Sequence, residues 1–402
     1  MYIRIFDELY DVGDWKHPGG SVIRSHAWTP DNPVDATNAF LAFHQRNIQT
    51  VHNILKQFPR VHRGTLVPRD PIEKDFTNLR NKLVREGWFE PSWTHVAWRI
   101  VSNACLWMFG MYMMSLTSRL GLFLGVIVCS VAYKQVGWIQ HEGGHSSLTG
   151  NPRVDRCIQA FYYNIVLAGH FQKWNHQHFS HHASTQHVNH DVDLKTLPLV
   201  AFHKKVVDRK PVSNIFLRNQ GFLYWTLINP LVWFIWGFFS YPYFAWRKGN
   251  FLSYAASHVL SYVCHLGTLC AACGMPLFQA VWVMHLYSML GTSLLLATFT
   301  VSHTTTDVRT DDVGWVRPAA LHTINQPDTA FTTWWMGYLN FQIEHHLFPT
   351  MPQFRQAKLA REYIRPFFKK HNLPYRVVGL VESLKAVHHN LVNVSEYVRT
   401  KK

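Results

Sequence analysis

Histidines with the spacing of metal ligands occur in three clusters along the 402-residue chain. Within the first two clusters the imidazoles lie three or four positions apart, which places them on one face of a helix. Neutral imidazole is a ligand for iron, zinc or copper. The clusters are His141 and His145, then His178, His181 and His182, then His345 and His346, with His303 between the last two clusters. This spacing predicts a membrane-embedded metal centre assembled from distant parts of the sequence.

The first cluster also matches a different kind of metal site. His141-Glu142-Gly143-Gly144-His145 has the His-Glu-x-x-His pattern of zinc proteases. A zinc hydrolase uses about three protein ligands, whereas this chain offers many more histidines in spaced groups. They are enough for two metal ions, so we favour a two-metal centre over a protease site.

Long stretches without charged residues predict membrane-spanning segments. Only 16% of the residues are charged and 15% are aromatic, and the stretch from Gly249 to Thr306 is long enough for two crossings. We expect Pro230 and Pro242 to break the apolar segment from Phe222 to Trp246, which is then half-buried or interfacial. The sequence thus predicts four crossings in two hairpins. They are Ile100 to Ser118, Leu120 to Tyr133, Phe251 to Cys273 and Leu277 to Val301.

The net charge of +15 is distributed around the apolar segments and not in a nucleic-acid recognition motif. Because cytoplasmic loops of membrane proteins are enriched in Lys and Arg, we predict that the histidine clusters and both termini are cytosolic. The basic residues that flank or follow the clusters are Lys134, Arg153, Arg156, Lys173, Lys204, Lys205, Lys369 and Lys370. The six cysteines have the spacing of neither a disulfide framework nor a metal site, so we expect them to pack in the apolar segments.

Residues 1 to 65 contain two histidines in a setting that favours a haem. His17 lies in Lys16-His17-Pro18-Gly19-Gly20, and His44 ends the stretch that begins at Asp35. A six-coordinate haem iron takes two axial ligands from opposite walls of an apolar slot, and the glycines let the backbone pass close to the porphyrin. Phe40 and Phe43 are then slot walls or plain core. One such glycine turn alone is also typical of a surface loop, but with the second element the segment resembles cytochrome b5.

Residues 66 to 94 are predicted to be a linker and a lead-in helix. Apolar residues at helical spacing, among them Phe76 and Leu83, alternate with Arg80, Lys82 and Arg85. The stretch is suited to the membrane surface or, alternatively, to a partner protein.

The three clusters together resemble the membrane fatty acyl desaturase family. Gln342-Ile343-Glu344-His345-His346, with glutamine in place of a leading histidine, resembles its front-end branch, which carries a fused cytochrome b5 domain. The resemblance implies a small α+β haem domain followed by an all-α membrane domain with four transmembrane helices and a cytosolic histidine-rich cap. The implied boundaries are 1–65 for the haem domain, 66–94 for the linker and 95–402 for the desaturase domain.

The resemblance also implies the activity. A front-end desaturase of the endoplasmic reticulum membrane inserts a double bond into a long polyunsaturated acyl chain, between an existing double bond and the carboxyl end. It uses O2, two non-haem irons, and electrons that pass from cytochrome b5 reductase to the fused haem b. Zinc is redox-silent and is unsuited to removing two hydrogens from unactivated methylenes. The implied substrate is a fatty acyl-CoA or a phospholipid.

The resulting site prediction assigns axial haem ligands, iron ligands and supporting residues. His17 and His44 are the predicted haem ligands, and the iron ligands are His141, His145, His178, His181, His182, His303, His345 and His346. Gln342 is predicted either to bind iron weakly through its amide oxygen or to hydrogen-bond a metal-bound water. Glu142, Glu344, Asp191 and Asp193 are predicted to orient imidazole N–H groups, or to be ordinary polar loop residues. Trp334 and Trp335 border the acyl channel or lie in the interfacial aromatic belt.

Two other functions fit parts of the pattern. A sphingoid-base desaturase or a lipid hydroxylase uses the same chemistry on another chain or with another outcome. A membrane-anchored cytochrome b5-type electron carrier needs only one crossing. The elaborate histidine clusters count against this function. The position of the new double bond and the choice between CoA and phospholipid carriers stay open at this point.

Overall fold

The computed structural model describes residues 1–61, 66–116, 118–210, 213–311 and 314–401, without the side chain of Ser21. A hairpin of two antiparallel strands, β1 (Tyr2–Ile5) and β2 (Glu8–Asp11), begins the chain. The next helices are α1 (Thr37–His44), α2 (Ile48–Leu55), α3 (Pro71–Arg85), α4 (Trp93–Ser115) and α5 (Arg119–Gly144). After them come α6 (Pro152–Ala160), α7 (Phe171–Ala183), α8 (Lys204–Arg209) and α9 (Ile215–Arg218).

The second half of the chain is also helical. Three long apolar helices come first, and shorter helices complete a cap over one end of the bundle. The long helices are α10 (Gln220–Arg247), α11 (Phe251–Cys273) and α12 (Leu277–Thr300). The cap contains α13 (Val316–Leu321), α14 (Ala330–Trp335), α15 (Gln342–Leu347), α16 (Gln356–Leu359), α17 (Arg365–Lys370) and α18 (Leu380–Thr400).

Among the described residues, four helices are long and apolar enough to cross a membrane, namely α5, α10, α11 and α12. The number agrees with the prediction, but the set does not, because the prediction used α4 and left out α10. The prolines do not break α10, as we had expected. Wider helical turns at Tyr224–Ile228 and Trp236–Ser240 precede Pro230 and Pro242. Such turns shift the carbonyl groups that a proline cannot bond, so the helix continues.

Helices α4 and α5 approach closely because small residues lie between them. A Cβ atom added at Gly125 would lie 2.3 Å from Met114 Cγ and 2.7 Å from the carbonyl oxygen of Gly110. Asn103 of α4 also donates to the carbonyl oxygen of Ala132 at 2.8 Å. Small residues let the backbones of apolar helices approach closely. This packing matters in a membrane, because no hydrophobic effect drives helices together there.

The predicted separate α+β cytochrome b5-like domain is wrong. Within residues 1–61 the sheet is a two-stranded hairpin, and its small core includes Ile3, Ile5 and Phe40. The opposite face of α1 belongs to a different core, in which Ala39 and Ala42 pack with residues of α3, α13 and α15. The front segment is therefore integrated with the helical cap.

A buried carboxylate strengthens this integration. Glu73 of α3 accepts hydrogen bonds from Asn38 Nδ2 at 2.6 Å and from the backbone N–H groups of Trp315 and Val316 at 2.9 Å each. It joins α1 to the N-terminal end of α13, where a negative charge also suits the helix dipole. Phe76 and Leu83 have no exposed surface. The apolar face of α3 thus lies in the protein core. The prediction that it lies on the membrane surface is wrong.

The close contact of α4 with α5 generates a test of this packing. Gly125→Ala should lower the free energy of unfolding by about 1–3 kcal/mol, because the added methyl group meets Met114 and a backbone carbonyl. Gly267→Ala in α11 is the matched control, since nothing lies within 4 Å of its Cβ position. Thermal unfolding of the two variants in the same detergent measures the difference. Equal midpoints would contradict the packing described here.

Candidate metal centre

The helices bring the histidine clusters to one end of the bundle. His141 lies in the last turn of α5 and His145 directly follows that helix, α7 carries the second cluster, and α15 carries the third. His303 lies three residues after the end of α12 at Thr300. Seven of the eight imidazoles are at most 9% exposed, and His303 is partly buried. The clusters are therefore parts of one water-poor site.

The first group of imidazoles lies at the ends of α5 and α7. Ligand nitrogens of His141, His145, His178 and His345 lie within 4.8 Å of one another. The Nε2 atoms of His145 and His178 are 2.8 Å apart. His182 adjoins this group, with 3.1 Å between its Nε2 and that of His178.

The second group combines the remaining histidines. His181, His303 and His346 have ligand nitrogens within 4.8 Å of one another. The amide Nε2 of Gln342 is 3.0 Å from Nε2 of His303 and 3.3 Å from Nε2 of His346. The ring of His182 stacks on that of His346 at 4.2 Å, so His182 lies between the two groups. All eight predicted histidines and Gln342 are thus brought together.

The arrangement fits bound metal cations. Burial lowers the pKa of His145 and of His303 to about 3 each, so these imidazoles are neutral. Facing ring nitrogens cannot all hydrogen-bond to one another, and His141 Nε2 and both nitrogens of His345 are buried without a partner among the described residues. A cation between these nitrogens would pair with the lone pairs that otherwise have no partner.

Outer hydrogen bonds orient the rings of the second group. The Nδ1 atom of His181 lies 3.0 Å from Asp191 Oδ2, and that of His303 donates to the carbonyl oxygen of His322 at 3.0 Å. Thr185 Oγ1 is 3.1 Å from His346 Nδ1. A partner on Nδ1 leaves Nε2 directed inward. The prediction for Asp191 agrees with this geometry, whereas the roles of Thr185 and of the His322 carbonyl had no signal in the sequence.

The comparisons with known proteins point the same way. The family profile described as "Fatty acid desaturase" matches residues 117–379. An "Acyl-lipid (8-3)-desaturase" of Rebecca salina is 36% identical, and one of Thraustochytrium sp is 35% identical, and each alignment covers 97% of this chain and 91% of the relative. An "Acyl-lipid (9-3)-desaturase" of Physcomitrium patens is 26% identical over 98% of this chain and 75% of its own length.

The chain belongs to the fatty acid desaturase family. The predictions of a front-end desaturase and of an oxygen-dependent oxidoreductase are confirmed. The desaturase is a membrane protein with a buried histidine site suited to non-haem iron.

Two predicted supporting residues of the desaturase lie elsewhere than expected. Glu142 is 3.0 Å from His95 Nε2 and accepts from the backbone N–H of Gln353 at 3.1 Å. Glu344 accepts from Asn325 Nδ2 at 2.8 Å and Tyr375 Oη at 2.9 Å, and burial raises its pKa to about 7. Their bonds go to these groups, so the prediction that they orient the metal-site imidazoles directly is wrong. Adjacency in sequence misled it, because neighbouring residues of a helix point in different directions.

Trp334 and Trp335 anchor the segment that precedes the third cluster. Gln135 donates to the carbonyl oxygen of Trp334 at 3.1 Å, and Trp138 Nε1 donates to that of Trp335 at 3.0 Å. Lys134 also donates to the Trp335 carbonyl, and its ammonium lies 3.6 Å from the centre of the Trp335 ring. Lys134 is fully buried. Our prediction that it is one of the basic residues on the cytosolic surface is therefore wrong. These contacts hold α14 against α5 and set the position of α15.

The two histidines of the front segment lie together beside the metal centre. The ring centres of His17 and His44 are 5.9 Å apart, and His44 Nδ1 donates to the carbonyl oxygen of Phe40 at 2.8 Å. Both rings line a cavity of about 1210 Å³ that extends to His145. Burial and the neighbouring His44 lower the pKa of His17 to about 4. The two predicted haem ligands therefore face one cavity as neutral imidazoles.

Arg46 fixes the front segment to the two loops that follow metal-site clusters. Its Nε donates to the carbonyl oxygen of Ser146 at 3.0 Å, and its Nη2 donates to that of Thr350 at 3.2 Å. Ser146 follows the first cluster and Thr350 follows the third. The front cavity and the metal centre are therefore held in one fixed arrangement.

The aspartates beside His181 provide a matched test of ring orientation. Asp191→Asn should lower metal affinity about 10–100-fold, because it replaces the carboxylate that bonds Nδ1. Asp193→Asn is the control, since Asp193 Oδ2 lies farther from His181 Nδ1, at 3.4 Å, and the Asp193 side chain is 43% exposed. Iron retained by each purified variant against a graded chelator measures the affinity. If Asp191→Asn retained iron as firmly as the unmodified protein does, Asp191 would have no orienting role.

Proposed function

We propose that the desaturase holds two non-haem irons through its eight clustered histidines and introduces a double bond into a polyunsaturated acyl chain, between an existing double bond and the carboxyl end. The observation that carries this proposal is the convergence of the eight imidazoles into two adjoining buried groups. When bound, the irons supply the capacity to activate O2 for removal of two hydrogens, which zinc lacks.

The side chains divide the work at this centre. His141, His145, His178 and His345 form one ligand set, and His181, His303 and His346 form the other, with His182 between them. We assign Gln342 to the second set through its amide oxygen, because its amide lies against His303 and His346, and amide oxygen and nitrogen are interchangeable by shape. Burial excludes bulk water from both sets, which protects a reactive oxidant from side reactions.

The names of the relatives suggest the position of the new double bond. Two relatives at 35% and 36% identity are both named "Acyl-lipid (8-3)-desaturase". We propose the same selectivity here, with the new bond three carbons closer to the carboxyl group than an existing bond at carbon 8. The substrate is then an acyl chain carried on a lipid or on coenzyme A.

Expression in yeast tests the selectivity. Cells are supplied with polyunsaturated acids whose double bond nearest the carboxyl group is at carbon 8 or at carbon 9, and the products are located by mass spectrometry. We expect desaturation of the first acid and little of the second, with no product from a His345→Ala variant that lacks one ligand of the first set. Preference for the second acid would refute the (8-3) assignment, and hydroxylated or sphingoid products would favour the alternative activities.

A haem in the front cavity is the second part of the proposal. His17 and His44 are suited to be its axial ligands, as set out above, and the haem would supply electrons singly. An aromatic path leads from this cavity to the metal centre. Ring centres of Phe43 and Phe179 are 6.2 Å apart, and those of Phe179 and His145 are 5.7 Å apart. Phe43 precedes His44 in the chain, so two side chains, Phe43 and Phe179, connect the two proposed sites.

Visible absorption of the purified protein tests the haem site. His44→Ala should abolish the reducible haem spectrum, because one axial ligand is lost. His52→Ala is the control, since His52 lies on the neighbouring helix α2 and does not line the cavity. A normal spectrum in the first variant, or no haem in the unmodified protein, would disprove the ligand assignment.

We also propose that the desaturase lies in the endoplasmic reticulum membrane with its metal centre and both termini in the cytosol, where cytochrome b5 reductase donates electrons. In support, the C-terminal ends of α5 and α12 both lead into the metal centre, and Arg153 and Arg156 line the cavity on the same side. Basic residues favour the cytosolic side. Protease accessibility of terminal tags in intact microsomes decides the orientation, and protected tags would reverse it.

A further inference from the structure

The ring of His141 has an outer partner from a distant part of the chain. Gln353, which follows the third histidine cluster, is 1% exposed, and its amide Nε2 lies 3.0 Å from His141 Nδ1. The opposite nitrogen of the ring, His141 Nε2, is buried and without a hydrogen-bond partner in the described part of the chain. The ring is thus held on one side and free to bind on the other.

The chemistry of imidazole decides which amide atom faces the ring. A histidine that binds a metal through Nε2 carries its proton on Nδ1, and this N–H group needs an acceptor. The amide oxygen of Gln353 is buried and has no partner among the described residues. Because the two ends of an amide are interchangeable by shape, turning the amide over pairs this oxygen with Nδ1–H and satisfies both groups.

Buried charges from α4 and α5 hold Gln353 in place. The backbone N–H of Gln353 donates to Glu142 Oε1 at 3.1 Å, while His95 lies 3.0 Å from the same carboxylate and Arg99 lies 3.6 Å from it. Glu142 and His141 are adjacent in α5. The backbone of Gln353 is therefore bound to one residue of the pair and its side chain to the other.

We propose that Gln353 is a positioning residue for the first ligand set. Its amide oxygen accepts from His141 Nδ1–H and fixes the tautomer in which Nε2 is presented to the metal. The carboxylate of Glu142, held by His95 and Arg99, keeps Gln353 at this distance. This inference rests on the proposed function in one respect, that His141 is an iron ligand.

Three full-length variants, purified in detergent, test the assignment. Gln353→Met removes the acceptor at similar volume, and it should lower iron affinity about 10–100-fold and alter the Mössbauer spectrum of the iron that remains. Gln353→Glu keeps an acceptor oxygen, so it should retain iron with a shifted spectrum. Gln356→Met is the matched control, because Gln356 is fully buried three residues further on and neither end of its amide has a partner within the described residues. It should keep both iron and spectrum.

The outcomes separate the inference from the proposed function. If the unmodified protein binds no non-haem iron, the proposed function fails. If that protein binds about two irons and Gln353→Met matches it in affinity and spectrum, only the positioning role fails. Should Gln353→Met not fold, Gln353→Glu decides. A carboxylate that accepts from Nδ1–H makes Nε2 a stronger electron donor to the metal, so an unchanged spectrum would overturn the inference.

Discussion

The structure depends on holding imidazole lone pairs close together in a pocket from which water is largely excluded. The Nε2 atoms of His145 and His178 are 2.8 Å apart, and those of His303 and His346 are 3.2 Å apart. Such nitrogens repel unless a proton or a cation lies between them. Burial makes protonation costly, so a metal cation is the partner that suits the site, and the surrounding helices must hold the rings against their mutual repulsion.

Polar contacts at buried positions supply that rigidity. Lys134, Gln135 and Trp138 of α5 bind carbonyl groups at the end of α14, which fixes the approach to the third cluster. Glu73 accepts hydrogen bonds from backbone N–H groups at the start of α13 and so fixes that helix. Arg46 joins the loops after the first and third clusters. Each contact satisfies a backbone group that would otherwise be buried without a partner. The polar groups of the cap therefore fix positions that apolar packing alone would leave adjustable.

The front segment illustrates how residues predicted to act together can meet although the predicted architecture is wrong. The motif around His17 and the stretch that ends at His44 were singled out from the sequence, and the two rings do meet at one cavity. No pattern in the sequence indicated that Ala39 and Ala42, on the other face of α1, pack into the core of the cap. A short helix with apolar residues on two faces fits both an independent domain and an integrated one. Only the surfaces that cover those faces distinguish them.

The spacing of the histidines alone specifies which imidazoles can act together, because residues three and four apart on a helix share a face whatever the rest of the chain does. The apolar character of the membrane helices is likewise evident from composition. Which side chains support the ligands depends instead on the fold. Gln353 reaches His141 across more than two hundred positions, and Glu142, adjacent to a ligand, turns away to His95. Contacts between distant residues depend on helix rotation and packing, and no local spacing in the sequence encodes these.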